Sequence, residues 1–285
     1  MASNILWHYT SLSGALAILQ QRTLRASDIR FSNDSREYSA ALDVLRDVMH
    51  ASSAVAPREL ESELRTRIDD ALSGNRPYSF VSHKDAGYFA ACVSEIEDDL
   101  GQWRGYAHDG GYALGFDRNL LEVASKEDGF RLAECIYIQD EQRKRMRDVY
   151  KGAWQSMEPE LEDHRHIAVN RAVAAFFDEF DRLAPVIKDP NFSAEHEWRL
   201  VKGPISYDSQ SAQSIRFRPG QSMPIPFVEL NLSTANAPKT LRCVTVGPSP
   251  HMHLAALAIR HAAISSSFAM DNFEVRKTQV PYRGW

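Results

Sequence analysis

The chain of 285 residues carries 33 Lys and Arg residues against 38 Asp and Glu residues, which gives a formal net charge of −5. Apolar residues make up 44% and charged residues 25%, proportions that exclude a disordered or collagen-like chain. No apolar run approaches the roughly 20 residues that cross a bilayer, no signal peptide is evident, and three widely spaced cysteines indicate neither a disulfide framework nor a thiolate zinc site. We therefore expect a soluble, cytoplasmic protein without membrane partners.

The first predicted elements are a strand and a helix in direct succession. Ile5–Thr10 is an apolar and aromatic run typical of a strand, and Ser11 is a helix N-cap residue ahead of apolar residues at helical spacing. Asp34 and Glu37 form a capping-box pattern that opens a second helix, to about Met49. A further helix is predicted from Leu60, Leu64, Ile68 and Leu72.

Strands and longer helices alternate in blocks through the rest of the chain. Runs rich in β-branched and aromatic residues predict strands at 78–82, 88–94, 111–116 and 133–138, with a short helix at 98–107. Two helices follow, at 141–157 and 162–183. The second is expected to bury Ile167, Val169, Val173, Phe176, Phe177 and Phe180. Strands return at 197–202, 215–218, 227–232, 242–246 and 273–277, with a helix at 254–263.

These separate runs favour an α+β fold with a mainly antiparallel sheet over a doubly wound parallel one. No Gly-rich loop follows the first strand, so neither a dinucleotide fingerprint nor a phosphate-cradling loop is present. We predict a single α+β domain over residues 1–285, with a helical insertion at about 140–186.

The C-terminal quarter is basic. Residues 210–285 hold eight Lys and Arg residues and three acidic residues, a net charge of +5. Such an excess can attract phosphates or nucleic acid. Because these cations are scattered rather than clustered, an ordinary solvated surface is the favoured interpretation.

The densest group of chemically active side chains lies in residues 192–199. Glu195 and Glu197 are two residues apart and would point to the same side of an extended chain. Two carboxylates in a partly dry site acquire different pKa values, which is how acid and base roles arise. The alternative is a strand edge on which Glu197 pairs with Arg199, and spacing alone favours that alternative.

A second group lies at the end of the first strand. His8 and Thr10 alternate with the aromatic residues Trp7 and Tyr9, an arrangement suited to the floor of a planar ligand. An ordinary core histidine bonded to backbone is the alternative, and by itself the more frequent case.

A third group follows at residues 102–112, with Trp103, Arg104, Tyr106 and Tyr112. Aromatic rings and a guanidinium at short spacing can stack on a ligand ring and bind phosphate. Alternatively, Trp103 and Tyr106 form one packed face of a helix.

No metal site is predicted. The pairs His164 and His166, and His251 and His253, are spaced so that the imidazoles diverge on a helix, and neither pair has adjoining acidic or Cys residues. A Gly-x-Ser-x-Gly elbow is also absent.

Taken together, these segments resemble a bacterial family, domain of unknown function family 2971. The matching pieces, in family order, are residues 6–10, 24–27, 31–34 with Glu37, 92–94, 102–107 with Gly111 and Phe116, 195–199, and 280–283.

The order of motifs also resembles, more distantly, the ADP-ribosyltransferase superfamily. His8-Tyr9-Thr10 is similar to the first-strand motif of the DNA-targeting toxin and RNA 2′-phosphotransferase branches. Glu195-x-Glu197 is similar to the late motif of the arginine-modifying branch. The resemblance implies a mainly antiparallel split sheet and an NAD-consuming transferase, such as a toxin or anti-phage effector with a cognate antitoxin. The acceptor can be a protein or a nucleic acid.

The resemblance also implies roles for individual residues. Glu197 would oppose the positive charge that develops on the ribose, and Glu195 would orient the acceptor. His8 and Thr10, beside Tyr9, would bind the adenosine-side ribose. The residue that contacts nicotinamide is Ser94, Tyr106 or Tyr112, while Trp103 and Arg104 are further candidates for stacking and phosphate binding.

Two other functions stay open from the sequence. A non-enzymatic module could bind a nucleotide or nucleic-acid end in the same cleft, and an interaction scaffold would use the aromatic residues only as core. On the transferase hypothesis, Glu197→Gln abolishes NAD turnover and leaves the fold intact.

Overall fold

The structure is a computed structural model that describes residues 4–31, 37–52, 58–59, 61–63, 65–66, 86–107, 110–157, 165–208, 210–220 and 222–281. Several predicted features lie outside these residues: the capping residue Asp34, the apolar positions Leu60, Leu64, Ile68 and Leu72, the strand at 78–82, His164, and the end of the 280–283 motif.

The described residues form a mixed α+β fold. The strands are β1 (Ile5–Thr10), β2 (Thr23–Asp28), β3 (Ala86–Ser94), β4 (Tyr112–Asp117), β5 (Arg131–Glu134), β6 (Glu197–Ser206), β7 (Arg216–Pro219), β8 (Pro224–Asn231), β9 (Leu241–Val246) and β10 (Ala269–Lys277). The helices are α1 (Leu12–Gln21), α2 (Glu37–Ser52), α3 (Leu100–Tyr106), α4 (Arg118–Glu127), α5 (Gln139–Met157), α6 (Arg165–Leu183) and α7 (Met252–Ser265).

The strands form one open sheet in the order β10-β9-β4-β1-β3-β2-β8-β7, with β6 and β5 attached to β3. Among the described strands, every pair is antiparallel except β9 with β10. The predicted mainly antiparallel sheet with flanking helices is therefore confirmed. Within the described residues, no helix combines the length and the apolar character needed to cross a bilayer.

The sheet forks at β3. One edge of β3 pairs along its whole length with β6. The opposite edge meets β1 only where Ser94 pairs with Trp7, and meets β2 where Ala90 and Phe89 pair with Ser27 and Asp28. Between these contacts, at residues 91–93 of β3, strands β1 and β2 diverge and leave a gap in the sheet.

Helices α2, α5 and α6 form a second apolar cluster beside the sheet. Val173, Phe176, Phe177 and Phe180 recur at i, i+3, i+4 and i+7, so they lie on one buried face of α6. The expectation that Ile167 belongs to this face is wrong: its position falls off the stripe, and it is 43% exposed.

Several local predictions are confirmed, and others needed the tertiary structure. Ser11 caps α1, its hydroxyl accepting from the Gly14 N–H at 3.2 Å. Helix α4 was not predicted, and neither was β2, which has only two apolar residues. The strand predicted at 133–138 ends at Glu134, because β5 pairs with β6 only over residues 131–134.

Candidate functional site

The fork in the sheet opens into a cleft. A cavity of about 1120 Å³ is lined by residues of β1, α1, β2, β3 and β7 and by the segment 188–199. A smaller cavity of about 50 Å³ adjoins it beside α3. His8, Glu195 and Glu197 line both, so the early histidine and the late carboxylates, distant in sequence, meet at one site.

Strand β1 places His8 at the gap because Trp7 and Tyr9, its neighbours in the alternation, are buried in the core. His8 Nδ1 lies 2.9 Å from the backbone oxygen of Cys92, across the fork. A carbonyl can only accept, so Nδ1 donates and Nε2 is left as an acceptor. Burial lowers the pKa of His8, and the imidazole is therefore neutral at pH 7.

Glu197 is held in a buried charge cluster at the start of β6. Its carboxylate accepts from Arg199 Nε at 2.8 Å and from Lys188 Nζ. Lys188 also bonds Glu195, so two carboxylates balance two cations. Burial alone would raise the pKa of Glu197, but the charge and hydrogen bonds of Arg199, then those of Lys188, lower it to about 2.

Glu195 and Glu197 do not lie on one extended chain as expected. Glu195 ends a 3-10 turn (Pro190–Glu195), His196 adopts the left-handed region at φ 43°, and β6 begins only at Glu197. The expected strand edge is also wrong, because β6 lies between β3 and β5 and Arg199 is 1% exposed. The pairing of Glu197 with Arg199 is present, in a buried setting.

Two of the predicted binding residues use their hydroxyls to hold the wall of the cleft. Ser94 Oγ donates to the Glu195 backbone oxygen at 2.7 Å, which fixes the turn that carries Glu195. Tyr9 Oη donates to the Ile96 oxygen at 2.8 Å and accepts from the Asp99 N–H at 3.2 Å. Both residues line the smaller cavity, but their hydroxyls are bonded to the backbone that forms its wall.

Some residues of the third predicted group line the cleft and others do not. Tyr106 is 43% exposed and lines both cavities, and Thr10 lines the larger one. Trp103 is buried against Tyr9, with ring centroids 4.8 Å apart, and its Nε1 donates to Asp98 at 2.7 Å. Tyr112 lies in the main core. Neither of these rings lines the cleft, and the exposed Arg104 does not line it either.

Sequence reasoning did not find Lys188. It lies in no motif, and its only signal is a cation directly after the apolar residues Val186 and Ile187, close to Pro190. In the structure it is 4% exposed. The charge of Glu197 and the hydrogen bonds to both carboxylates raise its pKa, although burial alone would lower it.

The basic C-terminal quarter is partly neutralised within the fold. Four of its cations pair with carboxylates: Arg216 with Glu229, Lys239 with Asp271, Arg242 with Asp117, and Arg276 with Glu97 and Glu274. Their charges therefore offer little to a polyanion. In the part of the chain that the structure describes, no group of three or more His, Cys, Asp or Glu side chains is arranged to hold a metal ion.

Residues 102–200, about a third of the chain, match the model of a family described as Protein of unknown function (DUF2971). The predicted resemblance to this family is confirmed over that segment. The DUF2971 segment contains Lys188, Glu195 and Glu197, whereas His8 on β1 lies outside it. No curated protein and no solved structure matches the chain.

Proposed function

We propose that the chain is an NAD-consuming ADP-ribosyltransferase that modifies a protein or a nucleic acid, in the role of a toxin or anti-phage effector. The observation that carries the proposal is the meeting of His8 and Glu197 on one cleft at the fork of the sheet. A cavity of about 1120 Å³ slightly exceeds the roughly 300–1,000 Å³ of small-molecule sites and so leaves room for a ligand as large as a dinucleotide.

The chemistry assigned to the cleft breaks the bond between nicotinamide and ribose C1′. The bonding electron pair passes to the pyridinium nitrogen, which leaves as neutral nicotinamide, and the ribose develops an oxocarbenium-like positive charge. An oxygen or nitrogen of the acceptor then bonds to C1′ and releases its proton to water. The transferred group is ADP-ribose.

The side chains at the cleft suit this assignment. Glu197 is ionised across the physiological pH range because its pKa is about 2, so it can accept from a ribose hydroxyl and oppose the developing charge. Neutral His8 presents Nε2 as an acceptor for the second ribose, and Glu195, the more exposed carboxylate, orients the acceptor. A ligand hydroxyl would compete with Lys188 for Glu197.

The test measures nicotinamide release and ADP-ribose transfer with NAD and bacterial protein or nucleic acid as acceptor. Glu197→Gln is expected to lower nicotinamide release by about 10²–10³-fold, the loss seen when one preorganised charge-stabilising group is removed. Glu195→Gln is the matched control, expected to keep nicotinamide release while transfer falls. A folded wild-type protein that releases no nicotinamide with either acceptor would refute the proposal.

The same variants distinguish the transferase from the second function that the sequence allows, a non-enzymatic binding module. Such a module would bind NAD without turnover, and binding would persist in Glu197→Gln. The pairing of most described C-terminal cations with carboxylates disfavours its nucleic-acid form.

A further inference from the structure

Strands β2 and β7 present arginines to the cleft. In β2, Arg25 and Ser27 alternate with the buried residues Leu24 and Ala26, so they share the opposite face of the sheet. The antiparallel register places Arg218 of β7 on that face as well, through β8. All three residues line the larger cavity.

Arg25 and Arg218 have no carboxylate within ion-pair distance among the described residues. Arg25 lies over the Phe227 ring, at 4.9 Å from the centroid, and Arg218 donates to Ser27 Oγ at 3.3 Å. Glu229, opposite Arg25 in the register, pairs instead with Arg216 at 2.9 Å.

The acidic residues that line the same cavity are already occupied. Asp28 is bound by Arg30 at 2.5 Å and by the Tyr207 hydroxyl at 2.7 Å, and Glu195 and Glu197 are bound by Lys188. The positive charge at this end of the cleft is therefore uncompensated by the described residues. The two guanidiniums converge, since Arg25 lies over Phe227 and Arg218 bonds Ser27, which is opposite Phe227 in the register. Burial, and then the charge of Arg25, lower the pKa of Arg218.

We infer that Arg25 and Arg218, with the Ser27 hydroxyl, form a binding site for the diphosphate group of a nucleotide. Guanidinium groups bind phosphate oxygens through paired, charge-assisted hydrogen bonds, and a diphosphate supplies the negative charge that this face lacks. Phe227 holds the Arg25 guanidinium by a cation–π contact and so limits its freedom before binding. That the nucleotide is NAD rests on the proposed function.

Calorimetric titrations with ADP and with inorganic pyrophosphate test this site without any bond cleavage. Arg25→Gln and Arg218→Gln are each expected to weaken ADP binding by about tenfold or more. Arg216→Gln is the matched control, since Arg216 lies on the same face but is neutralised by Glu229, and it is expected to change the affinity by less than threefold. Pyrophosphate is expected to displace ADP.

Three outcomes overturn the inference: no binding of ADP or pyrophosphate by the folded wild type, equal ADP affinity in the Arg25→Gln, Arg218→Gln double variant, or tighter arginine-dependent binding of a single-stranded oligonucleotide than of ADP. The proposed function fails separately. Arginine-dependent ADP binding without nicotinamide release supports the diphosphate site and refutes the transferase. Nicotinamide release with an unchanged KM for NAD in the double variant supports the transferase and refutes the diphosphate site.

Discussion

Glu197→Gln is expected to destabilise the protein as well as to inactivate it. The exposed fractions of the Glu197, Lys188 and Arg199 side chains are 6%, 4% and 2%, and with Glu195 the cluster carries two charges of each sign. Removing one carboxylate leaves an uncompensated buried cation, which costs about 3–5 kcal/mol of the free energy of unfolding. This structure-based expectation differs from the sequence-based one, in which the change leaves the fold intact.

A double-mutant cycle measures this effect. Urea unfolding is followed by circular dichroism for Glu197→Gln, Lys188→Met and the double variant. The double variant restores the balance of charge, so it is expected to be less destabilised than the sum of the single changes by about 1–3 kcal/mol. Glu195→Gln, whose carboxylate is 23% exposed and shares Lys188, should lose about 1 kcal/mol. A loss below 1 kcal/mol in Glu197→Gln, or strict additivity, would contradict the cluster described here.

Three further predictions concern pH, packing and backbone approach. Because the pKa of Glu197 is about 2 in the folded chain, the stability it contributes is fully present above about pH 4.5 and is lost as pH falls towards 2. The difference in urea midpoint between wild type and Glu197→Gln should therefore shrink over that range. A constant difference would argue against an ionised buried carboxylate. Trp103→Ala should cost about 3–5 kcal/mol while Tyr106→Ala costs about 0.5 kcal/mol or less, an order that would be reversed or lost if Trp103 were a ligand-stacking residue on the surface. Gly111→Ala would place a Cβ 2.6 Å from the Thr10 backbone oxygen and should lower the free energy of unfolding by about 1–3 kcal/mol, as measured by thermal or urea unfolding. The Cβ of Gly105→Ala meets nothing within 4 Å, so this control should be neutral or slightly stabilising. Equal losses in the two variants would show that the close approach does not matter.

Local patterns predicted much of the fold because they depend on neighbours in sequence. The α1 cap at Ser11 and the apolar stripe at Val173 and Phe176 each need only a few adjacent residues. Strand β2 was missed because Leu24 and Ala26 are its only apolar residues, and its stability comes from pairing with β8.

The site was predictable in its residue types but not in its arrangement. The motifs around His8 and Glu197 were found in the sequence, but the ion pairs of Glu197 depend on the place of β6 between β3 and β5. Lys188 carries no motif, since its role arises only when the 3-10 turn after it returns Glu195 to the same ammonium group. Trp103 and Tyr106, three residues apart, are neighbours on one side of α3, and they differ because Trp103 packs against Tyr9 whereas Tyr106 borders the two cavities.

The forked sheet gives the cleft two walls with one shared support. Among the described strands, β3 alone pairs with both β1 and β2, and the bond from His8 to the Cys92 oxygen ties β1 to β3 beside the gap. The spacing between the imidazole on one wall and the guanidiniums on the other consequently depends on β3 and on α1, which joins β1 to β2. A compound long enough to touch both walls would fix that spacing, whereas a fragment that reaches one wall would leave it free to vary.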